Sequence, residues 1–354
     1  MEPFDDIAIP IAWPEKTAYG DESWMAFLKK CGIVKNLNFK VGHAAILLVE
    51  KKSGYVRYFD FGRYIAPRGY GRARSKDFDP RLEMNTRAVF GSTFEIVNLK
   101  EILEELTGKQ KATHGGGRLL FVVCQRISFK KAMTYAASLV EKGPILYGAL
   151  AANNNSCSRY VAQILASGMR ASDKRIRRIF YPECLKASPT SNVVNASDDG
   201  NIGCYQDGKL SWFRMARRAS LRFQWSLITE NLYSKKAQLL GRDDCPGFIT
   251  EPKRPSFLPA EAQWLGGIGE GVWLLLIEQT EAYCVVCYGA DGQIIYSMQT
   301  ICTDNFDIKL PYSFTMQFSG NFFVIRQREK NYTFKKVSQN KINNNNKTIL
   351  AQHN

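Results

Sequence analysis

The sequence predicts an α+β fold: an antiparallel sheet with packed helices, followed by a small antiparallel β domain. Three observations carry this. Val41–Val49 and Tyr55–Phe61 are apolar runs around the turn Lys51-Lys52-Ser53-Gly54, a β-hairpin pattern. Ser128–Glu141 and the segment from Cys157 to about Ser167 have helical spacing of apolar residues. From Trp264 onward, short apolar runs alternate with turn residues, among them Asp291-Gly292, a strong hairpin signal.

Taken in order, Ile7–Trp13 is an apolar strand or extended lead-in that ends at Pro14. A short helix opens at Asp21-Glu22-Ser23 and stops at Gly32. The hairpin 41–61 follows, with His43, Ala45, Leu47 and Val49 on one parity. Residues 62–75 are rich in Gly, Arg and Tyr without periodicity and are expected to form a loop. Thr93–Asn98 and Arg118–Gln125 are expected strands, separated by a short helix at Leu99–Leu106 and the turn His114-Gly115-Gly116-Gly117. The helix 128–141 has Ser128 as cap and Gly143-Pro144 as stop, and the Cys157 helix has Gly168 beyond its end. Ser188–Gly200, rich in Ser, Asn, Asp and Pro, has linker composition. The expected division is therefore a first domain at 1–200, a basic segment with the β domain at 201–337, and a polar, disordered Asn-rich tail at 338–354.

The 354 residues are 45% hydrophobic, ample for a buried core, and no apolar run is long enough for a membrane span, which needs about 18 residues. The acidic start Met1–Asp6 lacks the pattern of a secretory signal, and nine scattered cysteines cannot pair completely. Both point to a reducing, cytoplasmic location. The net charge of +15 suits solvated faces or an acidic partner; without a nucleic-acid motif, nucleic acid is not the expected one. No cofactor motif is present. Cys284-Val285-Val286-Cys287 has a metal-like spacing, but it lies in an apolar strand with no fourth ligand in sight, so no metal is expected there.

The chemistry-bearing stretch is Asn153-Asn154-Asn155-Ser156-Cys157-Ser158-Arg159-Tyr160-Val161. Asn and Ser side chains accept the free N–H groups of a first helical turn, which puts Cys157 at the positive end of a helix, where a thiol is acidified. A thiol nucleophile needs a base. Of three histidines, His353 is in the tail and His114 in a Gly-rich turn, whereas a strand holds His43 rigidly after the small Gly42. Asp60 is an isolated carboxylate in an aromatic strand; it can orient His43, or it can pair with Arg57 or Arg63. The N–H of Cys157 is the expected oxyanion donor, with Tyr147 adding a phenol or lining the cleft. Arg63, Arg68 and Arg72, with Arg74, can receive an acidic group of the substrate.

Gly143-Pro144-Ile145-Leu146-Tyr147-Gly148 with Asn155-Ser156-Cys157-Ser158 resembles the Tyr-then-Cys-Ser block of NlpC-type papain-like cysteine peptidases. Because Gly42-His43-Ala44-Ala45-Ile46 precedes the cysteine, the order resembles the circularly permuted branch of peptidases and acyltransferases, and its bacterial families most of all. The resemblance covers roughly residues 40–170. It implies a permuted papain-like core, Cys157 as nucleophile, His43 as base and Asp60 as the third polar residue. Ser156 departs from it, since relatives often carry Asp or Asn there. The expected function is a cysteine-dependent hydrolase or acyltransferase acting on an amide, isopeptide or ester. The alternative is a binding protein that keeps the scaffold without the chemistry.

Overall fold

The computed structural model describes residues 3–21, 23–93, 95–148, 153–243, 247–280 and 282–337. The expected tail, His353 included, lies outside them. The α+β class holds. Among the described residues, a nine-stranded sheet runs in the order Lys209–Arg214, Asn201–Gln206, Leu119–Phe121, Asp6–Trp13, His43–Glu50, Tyr55–Gly62, Tyr70–Arg74 and Ile145–Leu146, with Cys124–Ile127 also paired to Asp6–Trp13. The pairings within it are antiparallel.

The central strands are apolar on both parities because both faces are covered. One face, with Ala44, Ile46, Leu48, Phe59 and Phe61, packs on the helices Phe129–Glu141 and Cys157–Gly168. The other, with Ile9, Ile11, Leu47 and Tyr58, packs on the helix Leu99–Gly108. Burying one such aliphatic side chain contributes about 1.5–3 kcal/mol.

A second sheet, of seven strands, runs Gln263–Leu265, Val272–Glu278, Tyr283–Tyr288, Ile294–Cys302, Lys330–Lys336, Phe322–Gln327 and Ser313–Phe318. It curls nearly closed: the Gln263 amide donates to Tyr312 O at 3.0 Å and accepts from Phe314 N–H at 2.9 Å. The two sheets share one core, in which Phe78 of the first region stacks on Phe318 of the second at 5.5 Å.

Three local expectations are corrected. Thr93–Asn98 is not a strand; only an isolated bridge, Phe90 to Ile96, forms before the helix at Leu99. Ser188–Gly200 is not a linker but holds the helix Pro189–Ala196, buried along its length. Ser188 and Ser191 form a capping box and Asn192 donates to Ser158 O at 2.7 Å, so polarity there does not mean exposure. It is followed by the hairpin Asn201–Arg214, which extends the first sheet. Residues 62–75 are not wholly a loop: Tyr70–Arg74 is a strand paired to Tyr55–Gly62, with Asp60 opposite Arg74.

Candidate functional site

The geometry of the site follows from register. Ala45 lies opposite Asp60, so His43 and Asp60 are diagonal neighbours on one face of the hairpin. His43 Nε2 is 3.4 Å from Asp60 Oδ2. Trp13, paired with His43 across the neighbouring strand, stacks on the imidazole at 5.6 Å and 10°. The ring is thus fixed from two strands at once.

The Cys157 helix reaches the same strand end. Ser156 is its N-cap and accepts from Arg159 N–H at 3.3 Å, while Asn155 Oδ1 accepts from Ser156 N–H at 2.9 Å. Cys157 is therefore the first helical residue, with an N–H that has no acceptor within the helix. Burial alone would raise its thiol pKa. The hydrogen bond and charge of His43, with bonds from the Ser158 hydroxyl and the Ala44 N–H, outweigh burial and lower it. Burial likewise opposes protonation of His43, but Asp60 and Cys157 override it and raise the imidazole to about 9. Asp60 is fully buried, and despite burial it is held far below the usual carboxylate range by Arg74 and His43. Cys157, His43 and Asp60 thus shift one another toward the charged forms: the thiol down, the imidazole up and the carboxyl down. Elsewhere burial raises thiols: Cys124 to about 12, and Cys287 beyond that.

His43 and Cys157 open on a cleft of about 610 Å³, which Gly42, Phe61, Arg63, Tyr64, His114, Tyr147 and Gly269 also line. Among the described residues, the Lys and Arg side chains on its walls are Lys16, Arg63 and Lys111. Tyr147 is set beside Cys157 by two backbone bonds, Gly148 N–H to Asn155 O and Asn155 N–H to Leu146 O, both 2.9 Å. Its ring stacks on Phe61 at 6.2 Å, and the Arg63 guanidinium covers it at 5.0 Å.

The expected arginines separate. Arg63 is on the cleft wall, where it also donates to Tyr19 O at 2.8 Å. Arg68 is exposed and pairs with Asp21 at 2.5 Å. Arg72 is not a substrate contact. It is 1% exposed, donates to Ile65 O, Met316 O and Phe318 O at 2.8–2.9 Å, and lies over the rings of Phe78 and Phe318 at 4.8 and 4.2 Å. Strand alternation turns it inward, where it ties the two sheets together. Arg72→Ala should therefore cost stability, about 3–5 kcal/mol, because it strands three buried carbonyls and a cavity. Thermal denaturation measures that loss; a stable variant with a raised KM would instead put Arg72 on the substrate. Arg74, also offered to substrate by the sequence, is fully buried and holds Asp60 in two bonds, Nε to Oδ1 at 3.0 Å and Nη2 to Oδ2 at 2.6 Å. Arg57, the alternative partner of Asp60, pairs with Asp77 instead.

Sequence reasoning missed Tyr64 and Tyr58. The Tyr64 hydroxyl is 3.3 Å from His43 Nε2 and 3.4 Å from Asp60 Oδ2, and Tyr58 OH donates to Asp60 Oδ2 at 2.9 Å. Both phenols stay protonated, raised by burial and by the Asp60 charge. Gly62 was the available signal for Tyr64: a Cβ there would meet the Tyr64 ring at 2.4 Å, so the ring folds back only over a glycine.

The structure brings together a cysteine at a helix start, a strand histidine and a buried carboxylate on an α+β sheet. Residues 8–174 match the family described as "Type VI secretion system effector TseH-like", and residues 262–337 match the DUF6695 C-terminal domain. The crystal structure of the Type VI secretion system effector TseH is similar at 18% sequence identity and a TM-score of 0.40, over 59% of this chain and 98% of TseH. None of the curated proteins matches the chain. Among the described residues, no helix is long and apolar enough to cross a membrane.

Proposed function

We propose that this chain is a cysteine-dependent hydrolase or acyltransferase with a permuted papain-like core, acting on an amide, isopeptide or ester. The observation that carries the reading is the contact between Cys157 and a His43 whose Nε2 faces Asp60. With Nε2 committed to Asp60 and Tyr64, Nδ1 is the nitrogen left for the thiol. The Cys157 thiolate attacks the carbonyl carbon, and the oxyanion is met by the Cys157 N–H and by Tyr147. His43 protonates the leaving amine or alcohol as the carbon–heteroatom bond breaks, leaving a thioester on Cys157. Water or an acceptor hydroxyl or amine then attacks that thioester, gives its proton to His43 and releases the thiolate. Asp60 keeps His43 oriented throughout. The cationic walls, with Lys16, Arg63 and Lys111, suit a substrate with an acidic group near the scissile bond. The TseH-like match over residues 8–174 supports action as a secreted effector in a target cell, so the expected cytoplasmic location becomes, on this reading, the place of synthesis. We place the division between the two parts at the loop before Gln263, since residues 201–214 pair with the first sheet.

Alkylation by iodoacetamide across pH, with adduct mapping, tests the nucleophile. The expected result is selective labelling of Cys157 well below the range of an ordinary thiol, with a second inflection near pH 9 as His43 loses its proton. The exposed Cys31 serves as the internal comparison. Labelling of Cys157 no faster than Cys31 at every pH would remove the nucleophile.

A further inference from the structure

The second sheet reaches into this site. Its loop from Gly266 to Gly271 seats on residues 63–66: Ile65 N–H donates to Glu270 O at 3.0 Å, and Gly269 N–H donates to Arg63 O at 2.9 Å. The approach needs glycine at 267, where a Cβ would lie 2.8 Å from Ile65 N and 2.9 Å from Arg63 O. Ile268 and Gly269 then form part of the cleft wall. The carboxylate that follows, Glu270, is only 8% exposed. Its Oε2 is 3.2 Å from Arg74 Nη1 and 3.6 Å from His114 Nε2, and its Oε1 accepts from Arg81 Nη2 at 2.7 Å.

We infer that Glu270 is a positioning residue and that the second sheet is a working part of the active site. The inference rests on the Cys157–His43–Asp60 reading. Arg74 holds Asp60 through Nε and Nη2, and Glu270 takes its remaining nitrogen, Nη1, which fixes the plane of the guanidinium. Three links thus connect a loop of the second sheet to the catalytic imidazole: Glu270 to Arg74, Arg74 to Asp60, Asp60 to His43. The charges facing one another here are Arg74 and Arg81 against Asp60, Asp79 and Glu270, with Asp79 3.8 Å from Arg74 and 2.7 Å from Arg81. Losing the Glu270 charge leaves Arg74 less compensated beside Asp60, which disfavours the positive imidazolium. Burial opposes ionisation of Glu270, but His114, Arg74 and Arg81 lower it to about 2, so the charge is present throughout the working range.

Glu270→Gln in the full chain tests this, with Glu270→Asp as the charge-keeping variant and Arg81→Ala as a control that breaks the same interface without touching Asp60. For Glu270→Gln the expected result is a downward move of the alkaline limb of Cys157 reactivity by roughly half to one pH unit. Turnover should fall about tenfold, in kcat more than in KM. Glu270→Asp should restore the limb, and Arg81→Ala should lower the melting temperature while leaving the limb in place. A folded Glu270→Gln protein with the wild-type limb and kcat overturns the inference, as does an equal limb shift in Arg81→Ala. Absence of a reactive Cys157 in the wild type is a different outcome, which overturns the underlying catalytic reading instead.

Discussion

Cys157→Ala should reduce turnover by on the order of 10⁴–10⁶-fold and leave the fold intact. Among the described residues, Cys157 is the cysteine that lines the cleft, while burial raises the thiols of Cys124, Cys284 and Cys287, which lie in the cores. The stability cost should be small. The cap that starts the helix is Ser156, not Cys157, and the packing of the helix is carried by Tyr160, Val161, Ile164 and Leu165. One consequence separates nucleophile from scaffold. Burial opposes the His43 charge, and Asp60 and then Cys157 raise it to about 9, so removing the sulfur should lower the imidazole from that value while Asp60 continues to raise it. The histidine titration, followed by NMR in wild type and Cys157→Ala, measures this. An unchanged His43 titration would mean that the two groups do not form an ion pair, and wild-type turnover in Cys157→Ala would end the proposed mechanism.

Parts of this site could be read from the chain, and the reason is local. Cys157 announces itself through Asn155 and Ser156, which bond within a few residues of themselves. His43 and Asp60 follow from the parity of one hairpin. What could not be read is held by long-range pairing or by buried charge. Tyr70–Arg74 has no apolar alternation because its inward positions are Arg72 and Arg74, each neutralised or bonded by residues distant in sequence. An alternation rule that treats arginine as exposed assigns such a strand to a loop. The helix Pro189–Ala196 was hidden the same way, its buried Ser191, Asn192 and Asn195 each donating to a backbone carbonyl. In the sequence Glu270 is one residue of the Gly-rich run Gly266–Gly271, and its contacts to Arg74 and Arg81 form only once that run is seated on residues 63–66.

Asp60→Asn should damage both chemistry and stability, and the stability contributions of Asp60 and His43 that it removes depend on pH in opposite directions. The carboxylate sits between two cations, Arg74 at 2.6 Å and His43 at 3.4 Å, with Tyr58 donating to it as well. An amide matches its shape but not its charge, so Arg74 becomes a buried cation with Glu270 as its main remaining counter-ion. Breaking a buried pair in this way costs about 3–5 kcal/mol. Because the folded pKa of Asp60 is depressed, its contribution is fully present above the ordinary carboxylate value and is lost as pH falls through the depressed one. The stability gap between wild type and variant should therefore be wide at neutral pH and close in strong acid. His43 has the reverse sign. Its raised folded pKa stabilises the protein fully below about 6.5, and the contribution disappears as pH climbs through about 9. Asp60→Asn should remove that contribution as well, lowering the imidazole pKa and with it the share of thiolate–imidazolium pairs at neutral pH. Turnover should drop roughly 10²–10⁴-fold, with its alkaline limb displaced to lower pH. Denaturant unfolding at several pH values and a pH–rate profile on the same preparation check both halves. A variant as stable as wild type at pH 7, or one whose alkaline limb stays near 9, would mean that Asp60 supports neither Arg74 nor His43.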